Sequence, residues 1–137
     1  WPLIAILLIA LMVSAPAMTA RNTFDPAVFP VQAVDWLEAH PQPGNMFNYF
    51  TWGGYLLHRL WPEQKVFIDG QTDFYGEALT RQYEQIITLA EGWENVLDQY
   101  AVTWAIIPTD SALSKALIAA GWQSIYQDAT ASIFIRK

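Results

Sequence analysis

Val31, Val34 and Leu37 recur every three residues with Asp35 and Glu38 on the outer side, a stripe that predicts a helix with one buried side. Pro30 suits its first turn, where a missing N–H costs nothing, and Pro41 bounds it after about Ala39. Met46 to Phe50 is apolar enough for a first strand. Leu56, Leu57 and Leu60 then form the apolar side of a short helix that Pro62 stops. Lys65 to Ile68 reads as a second buried strand. Beyond Gly76, the positions Leu79, Tyr83, Ile86, Ile87 and Ala90 share one face of a helix running from about Glu77 to Ala90. Trp93, Val96, Leu97 and Tyr100 repeat that spacing in another.

Val102 to Ile107 predicts a strand buried on both faces and ended by Pro108. Asp110 or Ser111 can cap the following helix, whose Leu113, Leu117 and Ala120 face inward and whose end Gly121 marks. Trp122 to Gln127 and Ala131 to Ile135 read as two strands which so short a link forces to be antiparallel. The expected architecture is a three-layer α/β domain with a mixed sheet: three parallel strands linked by helical crossovers, and a C-terminal antiparallel hairpin on one edge. Ligands of such open sheets sit beyond the carboxyl ends of the strands. That places Asn48 to Tyr55, Asp69 to Asp73 and Thr109 to Ser111 on one rim.

The first twenty residues carry no charge, and Leu3 to Ala17 is almost wholly apolar. At about 1.5 Å per helical residue this is just enough to cross a hydrocarbon layer of roughly 30 Å. We read residues 1–20 as the last transmembrane helix of a longer protein, since the chain begins at Trp1 rather than Met, with 21–30 as linker and 31–137 as the α/β domain. A signal peptide cleaved near Ala15-Pro16-Ala17, although without a basic leader, and a buried soluble helix are the alternatives. A lone Arg21 followed by an acid-rich domain leans toward the extracytoplasmic side.

The formal charge of −6 and the scattered Lys and Arg argue against nucleic acid as a partner. With no cysteine, a disulfide scaffold and thiolate metal sites are excluded. His40 and His58 have no partner at a metal-ligand spacing, and Ser111 lacks the surroundings of a nucleophile. No metal, cofactor or catalytic residue is therefore expected. Asp69 and Asp73, with Glu77 beyond them, could form an acid/base or metal group. The plainer reading has Asp69 bonding the backbone of its own Gly70-Gln71-Thr72 turn. Trp52, Tyr55, Trp61, Phe74 and Tyr75 could stack on sugar rings, and they suit a core equally well. Asn48, Trp52, Tyr55, Asp69, Gln71 and Asp73 are thus the candidate rim for a substrate or interface, with Gly53, Gly54 and Gly70 as its structural turns. The glycines would be there for tight turns or positive φ.

Taken together, Phe29-Pro30-Val31, Ala33 to Leu37, Asn48, Trp52-Gly53-Gly54-Tyr55-Leu56, Val66-Phe67-Ile68-Asp69-Gly70 and Tyr75-Gly76 resemble the C-terminal extracytoplasmic domain of bacterial polytopic membrane proteins of the GT-C glycosyltransferase-like kind. The resemblance covers the chain from about Phe24 to its end. Gln71 departs from it, standing where those proteins usually carry Arg. A looser similarity links Trp52 to Tyr55 with the Trp-Trp-Asp-Tyr-Gly motif of oligosaccharyltransferase catalytic subunits, which helps hold the acceptor. Gly53 stands there in place of the Asp. The resemblance implies a bacterial cell-membrane protein whose membrane-embedded part lies upstream and uses a lipid-linked sugar donor, with this domain shaping the acceptor side. It also implies that this stretch alone catalyses nothing. The alternative is a non-enzymatic binding or scaffold domain, anchored or secreted.

Overall fold

The computed structural model describes residues 23–137, and at 72–75 the backbone alone. The chain forms helix α1 (Val31–Ala39), strand β1 (Asn45–Asn48), a 3-10 turn (Phe50–Trp52) and α2 (Gly53–Leu60). There follow α3 (Thr72–Ile87), α4 (Trp93–Gln99), β2 (Val102–Pro108), α5 (Ala112–Ala119), β3 (Gln123–Gln127) and β4 (Ala131–Ile135). The strands make one mixed sheet in the order β1-β2-β4-β3. β1 and β2 are parallel, while β4 lies antiparallel to both β2 and β3. The hairpin therefore flanks the parallel pair, and its outer strand β3 is short, bulged at Ser124/Tyr126 and polar, features that discourage pairing with another chain.

Alternation along the strands divides the core in two, because successive side chains leave opposite faces. Phe47, Ala105, Ile107 and Phe134 pack with Tyr83 and Ile86 of α3, Val96 and Leu97 of α4, and Leu113 and Leu117 of α5. Met46, Trp104, Ile106 and Ile133 pack with Ala33, Val34 and Leu37 of α1 and Tyr55 and Leu56 of α2. Helices thus cover both faces of the sheet, and β2 is buried over almost its whole length.

Element ends follow local chemistry. The Ser111 hydroxyl accepts from the Ser114 N–H at 3.1 Å, so Ser111 rather than Asp110 caps α5. Gly121 lies at φ +90° just beyond its end, a conformation that costs glycine little. In α3 the helix is broken at Gly76, whose φ of 78° and ψ of 163° are not helical. A helical turn at 72–75 precedes the break, and α3 stops at Ile87 instead of reaching Ala90, which is exposed.

One predicted element is absent. Lys65 to Ile68 joins no ladder, so the sheet holds one parallel pair in place of three parallel strands. The segment lies along the free edge of β1, and the Asn48 side chain bonds its backbone where a strand would have paired. No described helix is long and apolar enough to cross a membrane. The membrane helix expected at 1–20 lies outside the described residues.

Candidate functional site

At the carboxyl end of β1 the side chain of Asn48, fully buried, takes the place of a short strand. Its Oδ1 accepts from the Phe67 N–H at 2.7 Å and the Ile68 N–H at 3.3 Å. Its Nδ2 donates to the Ile68 carbonyl at 2.8 Å. A buried backbone needs partners for its polar groups, and one amide supplies an acceptor and a donor together.

This clamp sets the Ile68-Asp69 backbone against the start of α2. A Cβ placed on Gly53 would lie 2.2 Å from the Ile68 oxygen and 2.5 Å from the Asp69 Cα. Gly53 has an ordinary helical φ of −54°, so close approach of two backbones, and not positive φ, demands glycine here. A Cβ on Gly54 or Gly70 would meet nothing within 4 Å, and neither has positive φ. Asp69 is buried, and its Oδ1 accepts from the Gln71 N–H at 2.8 Å, closing its own turn. Gln71 is exposed beside it. The backbone of Asp73 lies in the first turn of α3, and its side chain lies outside the described residues.

Trp52 and Tyr55 are buried, at 3% and 4% exposure, where a rim position would have left them open. The Trp52 indole does not reach Asp69. It donates to the Val28 carbonyl at 2.8 Å and so ties down the segment ahead of α1. Tyr55 packs against Phe24 and Phe29 of the same segment, and burial raises its phenol above the usual value, against the lowering influence of Arg59. Thr130 adds a third tie by donating to the Pro26 carbonyl at 2.7 Å. Of the other candidate stacking rings, Trp61 is 57% exposed.

Beyond the ends of β1 and β2 lies an open groove of about 370 Å³. Val28, Tyr49, Thr51 and Trp52 line one part of it, and Thr109 and Asp110 another. The structure thus brings the Trp52 turn and the residues after β2 to a common groove, while Asp69 and Gln71 lie beside that turn and are not part of the groove lining. No group of three or more His, Asp or Glu able to hold a metal occurs among the described residues.

The fold resembles the C-terminal globular domain of an oligosaccharyltransferase from Archaeoglobus fulgidus. The superposition has a TM-score of 0.57 at 10% sequence identity, and covers 77% of this chain and 95% of that domain. The likeness spans nearly all of that domain and is one of fold. No protein-family model matches the chain. No curated protein sequence matches it.

Two features of the site were not anticipated from the sequence. Arg59 on α2 donates to Asp35 and Glu38 of α1 at 2.8 and 2.9 Å, and to the Tyr55 hydroxyl at 2.7 Å, stapling the two helices together. The acidic stripe of α1 facing a lone basic residue on the next helix was the available signal. Linker docking had no signal beyond the apolar Phe24, Val28 and Phe29.

Proposed function

We propose that this chain ends an integral membrane protein of the GT-C glycosyltransferase-like kind. In this reading residues 1–20 are its last transmembrane helix and residues 31–137 an extracytoplasmic domain that shapes the acceptor side of transfer from a lipid-linked sugar. The observation that carries it is the docking of residues 24–30. This stretch, which would lead from the membrane, is fixed by Trp52 and Thr130 at the end of the sheet where the two motif turns meet. A likeness in fold to an oligosaccharyltransferase domain supports the same reading. The end bearing Asn48, Trp52 and Asp69 then faces the membrane portion and its substrate. The motif residues act there by holding a rigid rim, since Asn48, Trp52, Tyr55 and Asp69 are buried.

The oligosaccharyltransferase motif carries Asp where Gly53 stands, and no side chain fits at that position here. The rim therefore does not copy that motif's acidic contact, and acceptor recognition falls to the groove with Thr51, Thr109 and Asp110.

Topology and activity of the intact protein test this. These residues hold no cysteine, so Ile118→Cys at an exposed site, set in an intact protein whose upstream cysteines have been replaced, gives a clean label. Reaction with an impermeant maleimide on intact cells is expected, and labelling only after permeabilisation would overturn the extracytoplasmic placement. Sugar transfer by the intact protein from a lipid-linked donor, abolished on deleting residues 23–137, supports the acceptor role. An intact protein that binds but never transfers would support the scaffold alternative.

A further inference from the structure

The side of α2 turned away from the sheet carries an uncharged, largely apolar stripe. Tyr55 and Leu56 face the core, and Gly54, Leu57, His58 and Trp61, spaced by three and four residues, share the opposite side and line an open recess of about 550 Å³. None of these four is Asp, Glu, Lys or Arg. The charged neighbours Arg59 and Glu63 line a different cavity, with Leu37 and Glu38 of α1. Trp61 is 57% exposed, and Phe24 and Val28, in the segment held against the start of α2, are 42% and 52% exposed. Large apolar side chains left open on one side of a fold mark a contact surface.

The chain that enters at this side points to what covers it. Phe24 packs on Tyr55 with ring centroids 4.6 Å apart, so the polypeptide reaches the domain beside α2. Only Arg21, Asn22 and Thr23 separate Phe24 from the uncharged run of residues 1–20, and four Cα steps reach about 14 Å at most. With that run spanning the membrane, Phe24 is held in or just beyond the headgroup layer, which is about 5–8 Å deep on each side. A helix is about 10–12 Å across, so the outer stripe of α2 lies within reach of the same layer. Tryptophan suits this zone, having an apolar ring and a polar N–H. The formal charge of −6 gives no attraction to anionic lipid, so such a contact is apolar in origin. We propose that the outer face of α2, with Trp61 foremost, rests in the interfacial layer of the lipid bilayer and fixes the tilt of the domain over the membrane. This contact rests on the reading of residues 1–20 as a transmembrane helix and adds a second point of attachment.

The test uses the intact protein with its upstream cysteines replaced, reconstituted in phosphatidylcholine vesicles and spin-labelled at one introduced cysteine at a time. Collisions with oxygen, which partitions into lipid, are compared with collisions with a water-soluble nickel chelate. His58→Cys and Trp61→Cys should favour oxygen, whereas Ile118→Cys, exposed on a helix of the other sheet face, should favour the chelate. Adding Trp61→Glu should shift the His58→Cys label toward the chelate and leave the Ile118→Cys label as it was. Leu8→Cys reports on the membrane helix itself. Lipid values at Leu8 with water values at His58 and Trp61 would overturn this contact alone, and chelate access at Leu8 would overturn the transmembrane reading and the contact with it. Shielding of His58 and Trp61 from both probes would mean that protein covers the face, and an unmoved His58 label in the Trp61→Glu variant would mean that Trp61 anchors nothing. Either result overturns the proposal.

Discussion

Gly53 and Asp69 meet backbone to backbone: a Cβ on Gly53 would sit 2.5 Å from the Asp69 Cα and 2.8 Å from its Cβ. The first turn of α2 is thereby locked onto a segment that belongs to no strand, and the two glycines of Trp52-Gly53-Gly54-Tyr55 become chemically unlike.

Gly53→Ala must push apart two pieces of main chain, and overpacking of this kind costs about 1–3 kcal/mol or more. Gly54→Ala meets nothing within 4 Å in a helix, where alanine is favoured over glycine by roughly 0.5–1 kcal/mol. Urea unfolding should therefore show the first variant destabilised and the second stabilised. Equal shifts in both would mean that the contact relaxes freely.

Asn48→Ala leaves the Phe67 and Ile68 N–H groups and the Ile68 carbonyl short of partners in a buried place. Each buried unpaired group costs about 1–3 kcal/mol, so a loss of at least about 2 kcal/mol is expected. Asn48→Asp keeps the acceptor but turns a carboxylate oxygen toward the Ile68 carbonyl, and should be no milder. Amide exchange at Phe67 and Ile68 should rise in both variants. A variant with protected amides at these positions would sink the clamp.

The same amide explains where the sequence misled. Val66, Phe67 and Ile68 are apolar and bounded by turn residues, so periodicity reads them as a strand, whereas a single Asn at the end of β1 satisfies their backbone from the side. Nothing in the spacing of Asn48 announces that. Elements specified by repeating patterns were legible, as the stripe of α1 and the β2 run show, and in α5 Leu113 and Leu117 face inward as read while Ala120 is exposed just past the helix end. The Trp52 turn and the residues after β2 were also traceable to one end of a sheet from strand order, whereas the Asp69 turn was placed there by way of a strand that does not form. What the pattern could not convey was burial of Trp52 and Tyr55, which depends on residues 24–30 folding back over them.

Trp52→Phe retains most of the ring and removes the donor to the Val28 carbonyl. A neutral hydrogen bond contributes about 0.5–1.5 kcal/mol, so global stability should fall by about that amount. The local effect should be larger. Val28 and Phe29 donate to the Asp25 carbonyl in the turn that this bond pins, and their amides should exchange markedly faster while β2 amides change little. Uniform acceleration across the domain would show that Trp52 serves as core and not as the anchor of the linker.

Tyr83 offers a test by pH. It is 8% exposed, and its hydroxyl accepts from the Phe50 N–H at 2.8 Å, joining α3 to the turn after β1. Burial pushes its phenol up to about 12, although the Phe50 hydrogen bond works in the lowering direction. Between about pH 10, where an unfolded tyrosine ionises, and about pH 12 the folded chain holds a proton that the unfolded chain has released. Stability is then lost as pH rises through that window, by up to about 2–3 kcal/mol for this one group. Tyr83→Phe removes this loss but forfeits the acceptor for Phe50, so it should be less stable at neutral pH by about 1–3 kcal/mol. Denaturation curves collected from pH 8 to 12 should find the two proteins converging as pH rises. Parallel pH profiles would show that Tyr83 ionises alike in the folded and unfolded chains, and that its burial does not hold the proton.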